Sequence, residues 1–106
     1  MTSTPLLGAQ TNLAIIPLDA KGVSDIEASV ITDRLGHELS KTGLFTVLDQ
    51  GKMKEMLAIQ NFPLTGRESE EYLAEAGQLL GVDQMMVGSV IKAGNSCTVI
   101  LKLYDA

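Results

Sequence analysis

The chain has 106 residues, 45% of them hydrophobic and 20% charged, with a net charge of −5 and a pI near 4.6. That length fits one domain, and the composition is that of a folded core rather than of a disordered segment. The acidic balance and the lack of any basic run exclude nucleic acid or an anionic bilayer as the main partner, since both require a positive patch.

Aromatic residues make up 4% and tryptophan is absent, so the core must be built from Leu, Ile, Val, Met and Ala. A single cysteine, Cys97, rules out an intrachain disulfide and leaves the compartment open. The opening "MTSTPLLGAQTN" carries neither a positive n-region nor an apolar stretch of signal-peptide length. Residues 1–12 read as a flexible tail before one α/β domain over 13–106, and the strand-like ending "LKLYDA" suits a domain excised from a longer protein.

In chain order, "LAIIPLD" (13–19) is a short apolar run closed by Pro17 and predicts a buried strand. Residues 24–43 predict a helix. Ser24 and Glu27 form a capping box, Ala28, Ile31, Leu35 and Leu39 form one stripe, and Gly43 supplies the stop. "LFTVLD" (44–49) is the second strand, making a right-handed βαβ unit.

A short helix over 51–60 turns Met53, Met56 and Leu57 inward. Thr65 and Glu68 offer a second capping box for a helix whose stripe is Leu73, Ala76, Gly77 and Leu80. Gly81 followed by Val82 matches a Schellman stop. Two strands then flank the turn at 93–96, with Lys92 facing Cys97 and Gly88 facing Leu101. Gly88, inside a strand, marks a close approach of another backbone or side chain rather than a phosphate loop, which would precede a helix.

The expected architecture is therefore α/β (α+β) in the order β-α-β-α-α-β-β, a mixed sheet of about four strands with helices mainly on one face, similar to anticodon-binding domains. Met85 and Met86 point to opposite faces of one strand, so at most one lies under the helices. Two helix-bearing connections on one face leave the other bare.

Catalytic chemistry has little to stand on. Gly22 alone follows the first strand, so no dinucleotide fingerprint exists, and Lys41-Thr42 sits at a helix end without the glycine of a phosphate loop. With one His and one Cys, no multi-ligand His/Cys metal site can form; His37 and Cys97 fall on different elements with no orienting third group. Glu68, Glu70, Glu71 and Glu75 crowd a helix start, where acidic side chains complement the dipole. No catalytic residue, cofactor or metal is assigned.

On the last strand Cys97, Val99, Leu101 and Leu103 alternate with Thr98, Ile100, Lys102 and Tyr104. The second set, with Met85, lies on the face expected to be bare, so Met85, Ile100, Lys102 and Tyr104 are the candidate partner-binding residues.

One pattern spans nearly the whole chain: Asp33 and Leu35 on the first helix, Leu39, Gly43 and Phe45 at its end, Val47 and Asp49, then Gly77, Gly81, Asp83, Val87, Gly88 and Val90. It resembles the CsgG-like curli-secretion lipoproteins and their relatives, namely the amino-terminal domain of the Tol–Pal translocation protein, penicillin-binding-protein activator lipoproteins and flagellar outer-membrane accessory proteins. Gln50 stands where many members carry Arg, and no long amphipathic hairpin of a transmembrane barrel is seen.

The resemblance implies a non-enzymatic module of the periplasm or the periplasmic face of the outer membrane, binding envelope proteins or self-associating as a homo-oligomer. The alternative is a cytosolic sensor or regulatory domain holding a small ligand between sheet and helix ends. A third class, an enzyme using the Glu carboxylates or Cys97, has no assembled site in the sequence.

Overall fold

The computed structural model describes residues 10–62 and 69–106. The elements are β1 (Thr11–Ile15), β2 (Asp19–Lys21), α1 (Asp25–Lys41), β3 (Phe45–Val47), α2 (Gln50–Ile59), α3 (Glu70–Leu80), β4 (Gln84–Ala93) and β5 (Ser96–Asp105). The expected order holds with one addition. Pro17 breaks the first strand, and the chain resumes pairing after it as β2.

β4 is the axis of the sheet. Its first half pairs in parallel with β1, Ala14 facing Met85, and its second half with β2, Ala20 facing Val90. β3 lies beyond β1, also parallel, and β5 runs antiparallel along the opposite edge of β4. The five-stranded sheet is thus mostly parallel, with the expected pairs Lys92–Cys97 and Gly88–Leu101 in register.

The helices cover both faces, which corrects the expectation of one. Leu13, Ile15 and Met86 pack with Leu35 and Leu39 of α1, whereas Ala14, Ile16 and Met85 pack with Met53 and Leu57 of α2 and Leu73, Ala76 and Leu80 of α3. The strand order explains this. The β1–α1–β3 crossover steps outward and the β3–α2–α3–β4 crossover steps back past β1. Right-handed crossovers in opposite directions place their helices on opposite faces. Both methionines are therefore buried, Met85 at 0% and Met86 at 8% exposure.

The local signals behave as their chemistry demands. Ser24 Oγ accepts from the Glu27 N–H at 3.1 Å while the Glu27 carboxylate accepts from the Ser24 N–H at 3.1 Å, closing the capping box. The Asp49 carboxylate caps α2 by accepting from the Lys52 N–H. α3 is capped by Ser69, whose hydroxyl accepts from the Tyr72 N–H; Thr65 and Glu68 lie outside the described residues. Gly81 ends α3 at φ +71°, and the Val82 N–H reaches back to the Gly77 carbonyl at 3.1 Å, a Schellman closure with Val82 packed on the core. Met56, expected inward, is 36% exposed because Met53 and Leu57 occupy the sheet-facing side of α2.

Candidate partner-binding surface

α1 meets the sheet most closely through small side chains. Ala28, Thr32 and Gly36, spaced by four, are its buried residues. A Cβ at Gly36 would lie 3.4 Å from Val47 Cγ1 and 3.6 Å from Ile15 Cδ1. This close seat rolls the apolar stripe read from the sequence off centre, so that Ile31 and Leu35 lie on the flank of α1 that faces β5. Thr32 pins the seat. Its hydroxyl donates to the Ala28 carbonyl at 2.8 Å and accepts from the Leu18 N–H at 3.2 Å, tying α1 to the chain just past the Pro17 break.

Because α1 sits over β1 and β3, the α1-side face of β5 has no helix above it. By alternation that face carries Cys97, Val99, Leu101 and Leu103. Val99 is 42% and Leu101 39% exposed. Between them and α1 runs an open apolar groove of about 750 Å³, walled by Val30, Ile31 and Leu35 and rimmed by Asp33, Arg34 and Glu38. Arg34 and Glu38 form an exposed ion pair at 3.5 Å, which keeps that rim polar and adds little stability.

β5 is held unevenly. At its end Tyr104 packs on the α3-side core, Gln84 Nε2 donates to the Asp105 carboxylate at 3.0 Å, and the Ala106 N–H donates to the Asp83 carbonyl at 2.9 Å. From Ser96 to Leu103 every residue is exposed.

The four residues singled out from sequence therefore separate. Met85 has no exposed surface and belongs to the core beneath α3, so it cannot touch a partner in this structure. Tyr104 is half-buried against the same core, while Ile100 and Lys102 are on the surface, on the side of β5 facing away from α1. The groove residues Val30, Val99 and Leu101 were missed because one bare face was expected, opposite the helices. The signal was present in the run of small residues Ala28, Thr32 and Gly36, which announces the line of helix contact and displaces the bulkier stripe.

A second depression lies at the carboxyl ends of β1 and β3, about 330 Å³, lined by Asp33, His37, Ser40, Asp49 and Gln50 among others. Two of its polar groups are committed to the fold: Asp49 caps α2 and Gln50 Nε2 donates to the Ile15 carbonyl at 2.6 Å. His37 borders this depression while Cys97 sits at the hairpin end of β5, so the two form no nucleophile–base pair. Among the described residues no group of three His, Cys, Asp or Glu side chains is placed to hold a metal ion, and no helix is long and apolar enough to cross a membrane.

These features define a small mixed α/β module whose open surface is an apolar flank between one helix and an edge strand. The chain belongs to the CsgG family: the family model described as curli production assembly/transport component CsgG matches residues 6–98. Among solved structures, it is similar to the carboxy-terminal domain of LpoB from Escherichia coli, with TM-score 0.68 and 15% identity over 88% of this chain and 70% of that one. It is likewise similar to LpoB from Escherichia coli solved by NMR, with TM-score 0.64 and 18% identity over 91% of this chain and 50% of that one. No curated protein matches by sequence.

Asp33 and Leu35 of the family-like pattern border the groove, whereas several others serve the backbone. Asp49 is a helix cap, Gly43 and Gly81 adopt φ of +77° and +71°, and the Asp83 carboxylate accepts from the Asn12 N–H at 2.9 Å, tying β1 to the start of β4. An added Cβ at Gly88 would fall on the Ile100 carbonyl oxygen.

Proposed function

We propose that this domain is a non-catalytic interaction and assembly module of the bacterial cell envelope, working in the periplasm or at the periplasmic face of the outer membrane. In this reading it docks an apolar segment of another envelope protein along the groove between α1 and β5. The observation that carries it is the groove itself, where Val30, at 62% exposure, faces Val99 and Leu101 across an uncovered apolar floor. Membership of the CsgG family and the LpoB-like fold support the envelope setting.

The small-ligand reading is weaker. The depression between sheet and helix ends is the place it would use, and there Asp49 and Gln50 already serve the backbone. For the enzyme reading, His37 and Cys97 lie apart, and among the described residues no group of three His, Cys, Asp or Glu side chains is placed to hold a metal ion.

The test is to express the intact native gene with a carboxy-terminal tag, fractionate the cells and crosslink mildly before purification. Recovery with the periplasm or outer membrane together with an envelope protein, lost in Val30→Asp and kept in Val30→Ala, is expected. A free cytosolic protein, or capture indifferent to Val30→Asp, would overturn the reading.

A further inference from the structure

We propose that the free edge of β5 pairs antiparallel with β5 of a second copy, centred on Ile100, so that two chains share one continuous sheet. The inference deepens the interaction-module reading and rests on it for its purpose, though not for its geometry.

Three strands of the sheet are paired on one side only. Besides the short β2 and β3, each three residues long, the long one is β5, at ten residues. An edge strand offers a row of unpaired N–H and C=O groups, and proteins that must avoid pairing blunt it with proline, charge, a bulge or a covering loop. β5 has no proline and one lysine, Lys102, and from Ser96 to Leu103 it is exposed along its whole length. Nothing described covers it.

Register follows from alternation and charge. Within a strand, residues of like parity turn their backbone groups to the same edge and their side chains to the same face. An antiparallel self-pairing therefore satisfies donors and acceptors only when it is centred on a residue. Two centres give the longest overlap, Ile100 and Leu101.

Centring on Leu101 sets Lys102 opposite Ile100 of the second copy, which brings the two lysines into diagonal contact at about 7–8 Å. Centring on Ile100 sets Lys102 opposite Thr98, Val99 opposite Leu101 and Ile100 opposite itself, with the lysines four positions apart. The charges select the second arrangement. It also joins the exposed Val99 and Leu101 of both copies into one stripe, so the two grooves lie on the same face of the shared sheet and present a bivalent docking surface.

Such an interface is at the small end of specific contacts, so the association is concentration-dependent. The whole chain is studied in a Cys97→Ser background by sedimentation equilibrium from low-micromolar to near-millimolar concentration, and by thiol crosslinking with a short bifunctional reagent. Wild type is expected to shift from monomer to dimer. Ile100→Cys should crosslink to itself; Thr98→Cys and Lys102→Cys should crosslink when mixed and not when alone.

Ile100→Lys places two ammonium groups opposite each other and should weaken dimerisation by roughly tenfold or more. Position 100 is 45% exposed, so this variant retains the fold, which circular dichroism verifies. A monomer at every concentration, or a dimer untouched by Ile100→Lys, overturns the proposal. Self-crosslinking at Leu101→Cys in preference to Ile100→Cys overturns the register. The two readings fail separately: Val30→Asp abolishes partner capture without affecting the dimer, and Ile100→Lys does the reverse.

Discussion

Replacing Thr32 by valine tests what holds α1 at its present roll, and hence what opens the groove. Valine keeps the β-branched shape, so no cavity forms, but the hydroxyl is gone. The Leu18 N–H, which donates to it at 3.2 Å beside a side chain only 5% exposed, loses its acceptor. The Ala28 carbonyl loses the second of its two bonds and keeps the helical one. An orphaned buried donor costs about 1–3 kcal/mol, which for a domain of this size lowers Tm by on the order of 10 °C.

Thr32→Ser supplies the control. It keeps the hydroxyl and removes one methyl group, at a cost of about 1 kcal/mol. Urea unfolding of the three proteins, read with a common m-value, should therefore rank wild type above serine and serine above valine. If valine lies within about 0.5 kcal/mol of wild type, or serine falls below valine, then packing rather than the hydroxyl sets the seat of α1.

Two glycines should respond differently to alanine. Gly81→Ala meets no atom within 4 Å and suffers only from its φ of +71°, so a global loss of about 1 kcal/mol is expected in denaturant melts. Gly88→Ala instead forces β5 away from β4, because the new methyl group falls on the Ile100 carbonyl oxygen and 2.9 Å from Leu101 Cδ2. A loss of about 1–3 kcal/mol, concentrated in faster hydrogen exchange of the β4–β5 hairpin, is expected.

Acid should fray the start of α1. The backbone N–H of Ser24, and next its hydroxyl, hold the Glu27 carboxyl below its usual value. A depressed folded value means a contribution present above the ordinary glutamate pKa of about 4.3 and lost as pH falls through the lower folded value. Helicity followed by circular dichroism from neutral pH downward should show an acid loss that Glu27→Gln flattens.

Much of this fold is legible in the residues. The capping box at Ser24 and Glu27, the stripe Leu73, Ala76, Gly77 and Leu80, the Schellman stop at Gly81 and the Lys92–Cys97 register each depend on interactions a few residues apart or across one tight turn. Strand order is different in kind. Whether β4 returns to the near or far side of β1 is decided by long-range packing, and that choice sends α2 and α3 to the face opposite α1. The surface assignment inherits the error: Met85, placed with the bare face by alternation, is core, while Val99 and Leu101 of the alternate set are exposed and line the groove. The helix roll was the other unread variable, since a stripe defined by large apolar residues ignores that small ones allow the closest approach.

That separation of scaffold from surface leads to one more prediction. The family-like positions that cap, stop or tie the backbone, among them Asp49, Gly81 and Asp83, are not those that wall the groove or form the edge, such as Val30, Val99, Ile100 and Leu101. Stability and recognition should therefore be separable by mutation. Asp83→Ala removes the acceptor for the Asn12 N–H and should cost about 1 kcal/mol, leaving partner capture by the folded fraction intact. The combined change Val30→Thr, Val99→Thr and Leu101→Thr replaces exposed apolar groups with polar ones of strand-compatible shape on β5. Tm should stay close to wild type while capture of the envelope partner is lost. Were the triple variant to unfold, the flank would be part of the core; were it to keep its partner, recognition would lie elsewhere on the molecule.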